Sequence, residues 1–247
     1  MFSSVFLSGA LYGLFAAFVA LVISPLQYIK IKRQQTHQSY FKIVKYALAQ
    51  KNPLSIFFVA AVPYVVMNFL ANMSFGFSDF FCQLILHTGY SVFASVLIRS
   101  ILGGIFETIF TIYPEVKEIV CNKGDLAKSY GTLAEILLPA TIRNTIAWVG
   151  AALGYELSFR FALTIFDSVI ISLLLGMFFG MLSIPFDVIA TQNCGSDSDI
   201  GMVRRALKIF SVSKMMLFAG SFIRICQIAI FTATTVLTMF VARYLVL

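Results

Sequence analysis

The sequence predicts an all-α membrane protein with six transmembrane helices that form three helix–loop–helix repeats, and three observations support this fold class. First, 60% of the 247 residues are hydrophobic and only 12% are charged, whereas a soluble domain is roughly half apolar and about a quarter charged. Second, apolar runs near the roughly 20 residues that cross a bilayer recur along the chain. Third, these runs are continuous, whereas the strands of a β-barrel would alternate.

Each predicted helix overlaps a run without charged residues. In chain order, these runs are Met1–Ile29, Leu54–Ser78, Phe80–Ile98, Asn144–Tyr155, Ser168–Phe186 and Ile225–Ala242. We therefore expect helices at roughly Ser4–Ser24, Leu54–Phe81, Thr88–Tyr113, Leu133–Tyr155, Phe161–Ile184 and Met215–Phe240.

Prolines mark a threefold repeat. The first, third and fifth helices are expected to end at Pro25, Pro114 and Pro185, and the second and fourth carry Pro63 and Pro139 near their starts. Pro25 and Pro63 are 38 residues apart, and the same step from Pro185 lands on Ile223 in the sixth helix. The matching step in the middle of the chain is 25 residues, so that loop is 13 residues shorter. We expect a single domain with repeats at 1–86, 87–160 and 161–247.

The basic residues predict the orientation of the chain. All ten lysines lie in three segments that follow the first, third and fifth helices: Lys30–Lys51, Lys117–Lys128 and Lys208–Lys214. These segments share one face, which the positive-inside rule places in the cytoplasm or in an organelle matrix, with both termini on the opposite side. We attribute the net charge of +7 to topology and to contact with anionic lipid at these loops, and we expect no nucleic-acid partner.

The two longer basic loops each predict an amphipathic surface helix, because apolar residues recur there at helical spacing beside basic ones. The apolar stripes are Phe41, Val44 and Leu48 in the first loop, and Val203, Leu207 and Phe210 in the second. The middle loop, Glu115–Tyr130, is too short for a full equivalent.

Several motifs resemble the mitochondrial carrier family. The run from Pro185 to Gln192 (PFDVIATQ) resembles the family signature Pro-x-Asp/Glu-x-x-Lys/Arg-x-Lys/Arg, and the run from Pro25 to Lys32 (PLQYIKIK) resembles it in the first unit. The middle unit keeps little beyond Pro114. Weaker likenesses to the family's helix-entry, helix-exit and small-residue motifs are Leu217–Gly220, Gly154–Glu156, Gly9 with Gly13, and Gly176 with Gly180.

The resemblance implies the carrier fold in the mitochondrial inner membrane, with both termini on the intermembrane-space side. A central cavity would be closed in turn by a salt-bridge network on each face. The matrix-side pairs carry over to Gln27 with Ile119, Val116 with Ala190, and Asp187 with Lys30. Because only the last pair is ionic, Lys30 and Asp187 form the expected matrix gate.

The gate on the opposite face is also incomplete by this resemblance. Asp79 and Glu156 keep the acidic positions, but Cys82 and Phe159 stand where basic partners are expected. The third unit has Met239 at the acidic position, and Arg160 or Arg243 is the expected substitute for a missing base.

The family's substrate-contact positions carry over to Met67, to Arg143 with Asn144, and to Gln227, with Arg224 one turn before Gln227. An Arg followed by a small polar residue at the second of these positions resembles carriers of carboxylates or keto acids. A guanidinium suits such a solute because it binds a carboxylate through two parallel hydrogen bonds. The alternative for Arg143 is an ion pair within the protein, with Glu107 or Asp167. Arg99, Glu107 and Asp167 are expected to face the interior, either lining a pathway or pairing.

No catalytic motif, metal-ligand set or paired-cysteine motif occurs in the sequence, so we expect neither an enzyme nor a cofactor. Two functions stay open. One is transport of a small anionic metabolite by alternating access. The other is a carrier-derived structural or accessory subunit of a large inner-membrane complex, such as a respiratory complex, that has lost transport. A third reading is an unrelated six-span protein.

Overall fold

The structure is a computed structural model that describes residues 2–86, 91–124, 133–194 and 202–246; within these, the side chains of 2–9, 11–12, 75, 134–135 and 238–246 are not described. These residues form nine α-helices and no strand. The helices are α1 (Phe2–Thr36), α2 (Tyr40–Leu48), α3 (Pro53–Phe57), α4 (Ala61–Ile85), α5 (Val92–Lys123), α6 (Leu133–Arg160), α7 (Ile165–Asn193), α8 (Met202–Val212) and α9 (Ser221–Val246). A short 3-10 helix, Lys214–Phe218, lies between α8 and α9.

Six helical segments of the described chain are long and apolar enough to cross a membrane. They lie in α1, in α3 with α4, in α5, in α6, in α7, and in the 3-10 helix with α9. The prediction of an all-α, multi-pass membrane protein is therefore confirmed. The three-repeat carrier arrangement and the repeat boundaries at 86 and 160 stay predictions.

The six spanning helices pack in a closed ring. Each contacts the next one along the chain, from α1 through α4, α5, α6 and α7 to α9, and α9 contacts α1. In addition, α1 contacts both α5 and α7. Val116 of α5 and Ala190 of α7 share a buried cluster, so the first, third and fifth spanning helices meet one another at one end of the ring.

The three prolines expected to end helices lie inside them instead. Pro25, Pro114 and Pro185 sit within α1, α5 and α7, each of which continues past the proline. A proline removes one backbone hydrogen bond and clashes with the preceding turn, but neighbouring helices in a membrane protein compensate for this loss. Residues after each proline are buried against other helices, including Ile31 and Val188. Packing therefore outweighs the cost, and residues 115–123, expected in the middle loop, are helical.

Small residues bring neighbouring helices close together, as the small-residue motif of α7 predicted. A Cβ added at Gly176 would lie 2.6 Å from Ala229 Cα on α9, and one at Gly180 would lie 3.1 Å from Ile228 Cβ. Gly104 of α5 is packed as tightly on α6, because a Cβ added there would lie 2.6 Å from Thr145 Cα. No sequence motif predicted this second contact.

Both predicted surface helices are present, as α2 and α8. On α2, Ile43 and Ala47 are buried against the protein, and on α8, Ile209 is buried. The predicted apolar stripes lie mostly on the outer side, with Phe41 and Leu207 among their exposed members. Each helix thus has one face on the protein and an apolar face free to enter the membrane interface. The rest of the middle loop, 125–132, lies outside the described residues.

Candidate functional site: a charged cavity between two ionic clusters

A cavity lies within the ring and contains about 950 Å³ of empty space, part of it open to solvent. All six spanning helices contribute to its lining. Four of the five predicted contact residues line it, together with both residues of the predicted matrix gate: Met67, Arg143, Arg224, Gln227, Lys30 and Asp187. Phe231 is the only phenylalanine among the described lining residues, and no leucine is among them. Leucine and phenylalanine side chains therefore do not fill the cavity.

Arg143 is held by acidic residues of the protein. Its Nη2 donates to Glu115 Oε2 at 2.8 Å, and its Nη1 donates to the other oxygen of Glu115 and, at 3.3 Å, to Asp187 Oδ1. The partners expected from the sequence were wrong. Glu107 accepts a hydrogen bond from Trp148 Nε1 instead. Asp167 is exposed at the start of α7, where Thr164 Oγ1 donates to its carboxylate.

Asn144, the fifth predicted contact residue, lies behind Arg143 and outside the cavity lining. Its Oδ1 accepts from Arg143 Nε at 2.9 Å, and its Nδ2 donates to Thr108 Oγ1 at 3.1 Å. Four of the five guanidinium N–H groups of Arg143 thus have protein acceptors. Asn144 orients this side chain and does not face the ligand space.

The predicted matrix-gate pair is present. Lys30 Nζ lies 3.1 Å from Asp187 Oδ2, and both side chains are buried. Gln34 Nε2 donates to the same oxygen at 2.8 Å. Arg143 and Arg224 also lie within 4 Å of this carboxylate, so Asp187 is shared by three cations. Charge pairs at about 4 Å are worth up to roughly 4 kcal/mol each at an effective dielectric of 20.

Three of the four residues in the other two predicted pairs pack in an apolar cluster, and the fourth, Gln27, makes polar contacts elsewhere. Val116, Ile119 and Ala190 belong to one buried cluster. Gln27, expected opposite Ile119, donates to Glu118 Oε2 at 3.1 Å and accepts from Gln227 Nε2 at 2.9 Å. The sequence did not predict Glu118 as a partner of Gln27, although Glu118 directly precedes Ile119.

A second ionic cluster lies at the other end of the ring, where α4 and α6 end and α5 begins. Asp79 and Glu156, the predicted acids of this face, share Arg99: its Nη1 bonds to Asp79, and its Nη2 lies 3.6 Å from Glu156. The Arg99 guanidinium also lies over the ring of Tyr155, 4.5 Å from its centre. Arg160, an expected substitute base, is 3.8 Å from Glu156 and half-exposed. The side chains of Met239 and Arg243 lie outside the described residues.

Arg224 differs from Arg143 in its environment. Its nearest carboxylate is Asp187, at 3.8 Å from Nε, and that buried Nε has no hydrogen-bond partner among the described residues. The side chain is 13% exposed and lines the cavity. Its guanidinium therefore keeps the hydrogen-bonding capacity that an incoming anion needs.

Neither a metal site nor a disulfide occurs in the described part of the chain. No group of three His, Cys, Asp or Glu side chains is close enough there to hold a metal ion, and the four cysteines are free. The chain matches no known family model and none of the curated protein sequences with which it was compared.

Proposed function

We propose that the protein is a mitochondrial-carrier-like transporter of the mitochondrial inner membrane, which moves a small anionic metabolite, a carboxylate or keto acid, by alternating access. The observation that carries this proposal is the cavity within six membrane-spanning helices. Ionisable side chains inside a membrane protein mark solute pathways by default, and here they line a cavity that is partly open to solvent. The choice of the mitochondrial inner membrane and the orientation of the chain in it rest on the motif resemblance to carriers.

Arg224 is the anchor for the solute's carboxylate in this proposal. It has hydrogen-bonding capacity that Arg143 lacks, since Glu115, Asp187 and Asn144 occupy Arg143. Gln227, one turn further on α9, lines the same wall and is held in place by Gln27 and Tyr64. Met67 of α4 supplies an apolar contact in the cavity lining.

The two ionic clusters would act as the gates. The cluster around Asp187 joins α1, α5, α6, α7 and α9, so it closes the matrix end across most of the ring. Among the described side chains, the cluster around Arg99 joins α4, α5 and α6. In this proposal the described state is the one with the matrix end closed, and the solute would enter from the intermembrane-space end. The reverse state requires the bonds to Asp187 to break.

Reconstitution into liposomes tests the proposal, with radiolabelled pyruvate, malonate and succinate as a panel of solutes. We expect Arg224→Ala to lower uptake by about ten- to a hundredfold, which corresponds to the loss of a charge-assisted hydrogen bond worth roughly 1.5–3 kcal/mol. The matched control is Arg204→Ala, which removes an exposed Arg of α8 and should leave uptake unchanged. Absence of any anion uptake by the unmodified protein would overturn the proposal.

A second candidate function is that of a structural or accessory subunit of an inner-membrane complex. Its support is the apolar cluster of Val116, Ile119 and Ala190, which stands where two ionic pairs would close a working carrier. In native gels of solubilised membranes, this function predicts co-migration with a large complex, together with no uptake by the purified protein. Migration only as a free monomer would count against it.

A further inference from the structure

The cavity contains more acidic than basic side chains. Its ionisable lining residues are three cations, Lys30, Arg143 and Arg224, and four carboxylates, Glu107, Glu115, Glu118 and Asp187. With all of them ionised, the lining has a net charge of −1. Such a lining opposes the entry of an anion, even though Arg224 is available to bind one. An additional positive charge is therefore needed when the solute binds.

Glu107 is the lining carboxylate best placed to take up that charge as a proton. Glu115 and Asp187 are paired with Arg143 and Lys30, and Glu118 is buried and accepts from two amides. Glu107 is partly exposed to the cavity and has no cation within 4 Å among the described residues. Its one assigned hydrogen bond there comes from Trp148 Nε1, at 2.5 Å to Oε2. That bond leaves Oε1 as the oxygen that would bind a proton from cavity water.

The charged groups around Glu107 favour binding of a proton together with an anionic solute, because the two charges offset each other. Arg143 on α6, Arg224 on α9 and Glu115 on its own helix line the same cavity as Glu107. Lys30 on α1, Asp187 on α7 and Glu118 complete the charged lining, and α4 contributes only uncharged residues. Protonation of Glu107 brings the lining to zero net charge and removes a negative charge from the space in which Arg224 would hold a carboxylate.

We propose that Glu107 is a proton-binding site coupled to the entry of the anion, so that the protein moves the solute together with a proton. This inference rests on the proposed transport function. The proton passes from water in the cavity to Glu107 Oε1 when the solute binds, and it returns to water when the solute leaves on the other side.

Trp148 reports on the proton site without any transport, because it is the only tryptophan in the chain and donates to Glu107. In nanodiscs without added solute, we expect its fluorescence to titrate between about pH 4 and pH 9, the range over which buried carboxyl groups titrate. Glu107→Gln keeps a carbonyl oxygen for Trp148 but binds no proton, so the titration should disappear. Asp167→Asn, which neutralises an exposed carboxylate on α7, is the control and should titrate like the unmodified protein.

Uptake of the same solute panel tests the coupling, with a pH-sensitive dye inside the liposomes and protein-free liposomes as the blank. Lowering the external pH by one unit should raise initial uptake by up to about tenfold while Glu107 titrates, and protons should accumulate with the solute. In Glu107→Gln, uptake should be independent of pH and should carry no protons.

A Trp148 signal that does not change with pH, or that titrates unchanged in Glu107→Gln, would overturn the proton site. Uptake without proton movement would overturn the coupling. If Trp148 titrates as expected but no solute enters, the proposed function fails and the proton site stands.

Discussion

At the scale of single residues, Arg143 shows how one buried cation can join three helices. It extends from α6 to Glu115 on α5 and to Asp187 on α7, while Asn144 fixes the orientation of its guanidinium. All of these side chains are buried. A buried charge that loses its partner is costly, because neither water nor another charge compensates it. Arg143 is therefore a structural brace of the cavity wall.

This role predicts how substitutions at Arg143 change stability. Arg143→Met should lower the free energy of unfolding by about 3–5 kcal/mol, because it leaves Glu115 unpaired. The double substitution Arg143→Met with Glu115→Met should recover a large part of this loss, since Asp187 keeps Lys30. Unfolding in detergent, followed through Trp148 fluorescence, measures both effects. Arg204→Met on the exposed face of α8 is the control, and a cost below about 1 kcal/mol for Arg143→Met would contradict the brace.

The cysteines give a second prediction at this scale. Cys121 is exposed, whereas Cys194 is fully buried at the end of α7, and burial raises the pKa of the Cys194 thiol to about 12. Because the thiolate is the reactive form, a maleimide at neutral pH should modify Cys121 and leave Cys194 unmodified until the protein is denatured. Variants that each retain one cysteine, analysed by mass spectrometry, separate the two sites. Equal rates in the folded protein would show that the end of α7 is open to solvent.

The sequence predicted Lys30 with Asp187 but not the partners of Arg143 or Arg99. Lys30 and Asp187 could be paired because both belong to motifs with fixed spacing from a proline. Glu115 and Arg99 stand on α5 without such a motif, so their partners depend on how closely α5 crosses its neighbours and on which side-chain rotamers fit. Hydropathy gives the approximate extent of a spanning helix but does not give these contacts.

At the scale of whole elements, the sequence predicted the number and order of the spanning helices more accurately than their ends. The prolines were expected to terminate α1, α5 and α7, yet the helices continue through them, because the residues beyond are packed against other helices. A rule based on the local effect of proline does not include the free energy of packing against other helices. Glycine spacing was more informative on α7, because close approach of helices needs small residues wherever it occurs.

The contact between α7 and α9 predicts a graded response to added methyl groups. Gly176→Ala should lower stability by about 1–3 kcal/mol, because its Cβ would lie 2.6 Å from the Cα of Ala229, which is backbone and cannot move aside alone. Gly150→Ala is the matched control. Its nearest contact is a ring carbon of Phe179 at 3.2 Å, which a small rotation relieves. The two variants should differ clearly in melting temperature in detergent, and equal values would contradict the close packing of α7 on α9.

At the scale of the whole molecule, the few charges are divided between two roles. Among the described residues, the exposed lysines lie on α2, on α8, near the C-terminal end of α5 and in the neighbouring loops, whereas the charges inside the ring are paired or line the cavity. The sequence predicted the first group from the charges of the loops, and the face that these loops share stays a prediction; Lys30 and Lys123, which were counted with them, are buried in α1 and α5. It predicted the second only in part, because a cavity is formed by six helices at once.

Chemical labelling from each side of the membrane tests this division and the orientation of the chain. In sealed vesicles of known orientation, a membrane-impermeant amine reagent should modify Lys42, Lys45 and Lys208 from one side only, since the loops after α1 and α7 share a face. Lys30, buried against Asp187, should stay unmodified from either side until the protein unfolds. Asp167→Lys places a lysine at the exposed start of α7, on the opposite face, and should react only from the other side. Modification of Lys42 and Lys208 from different sides would require an odd number of crossings between them, which would contradict the six-span topology.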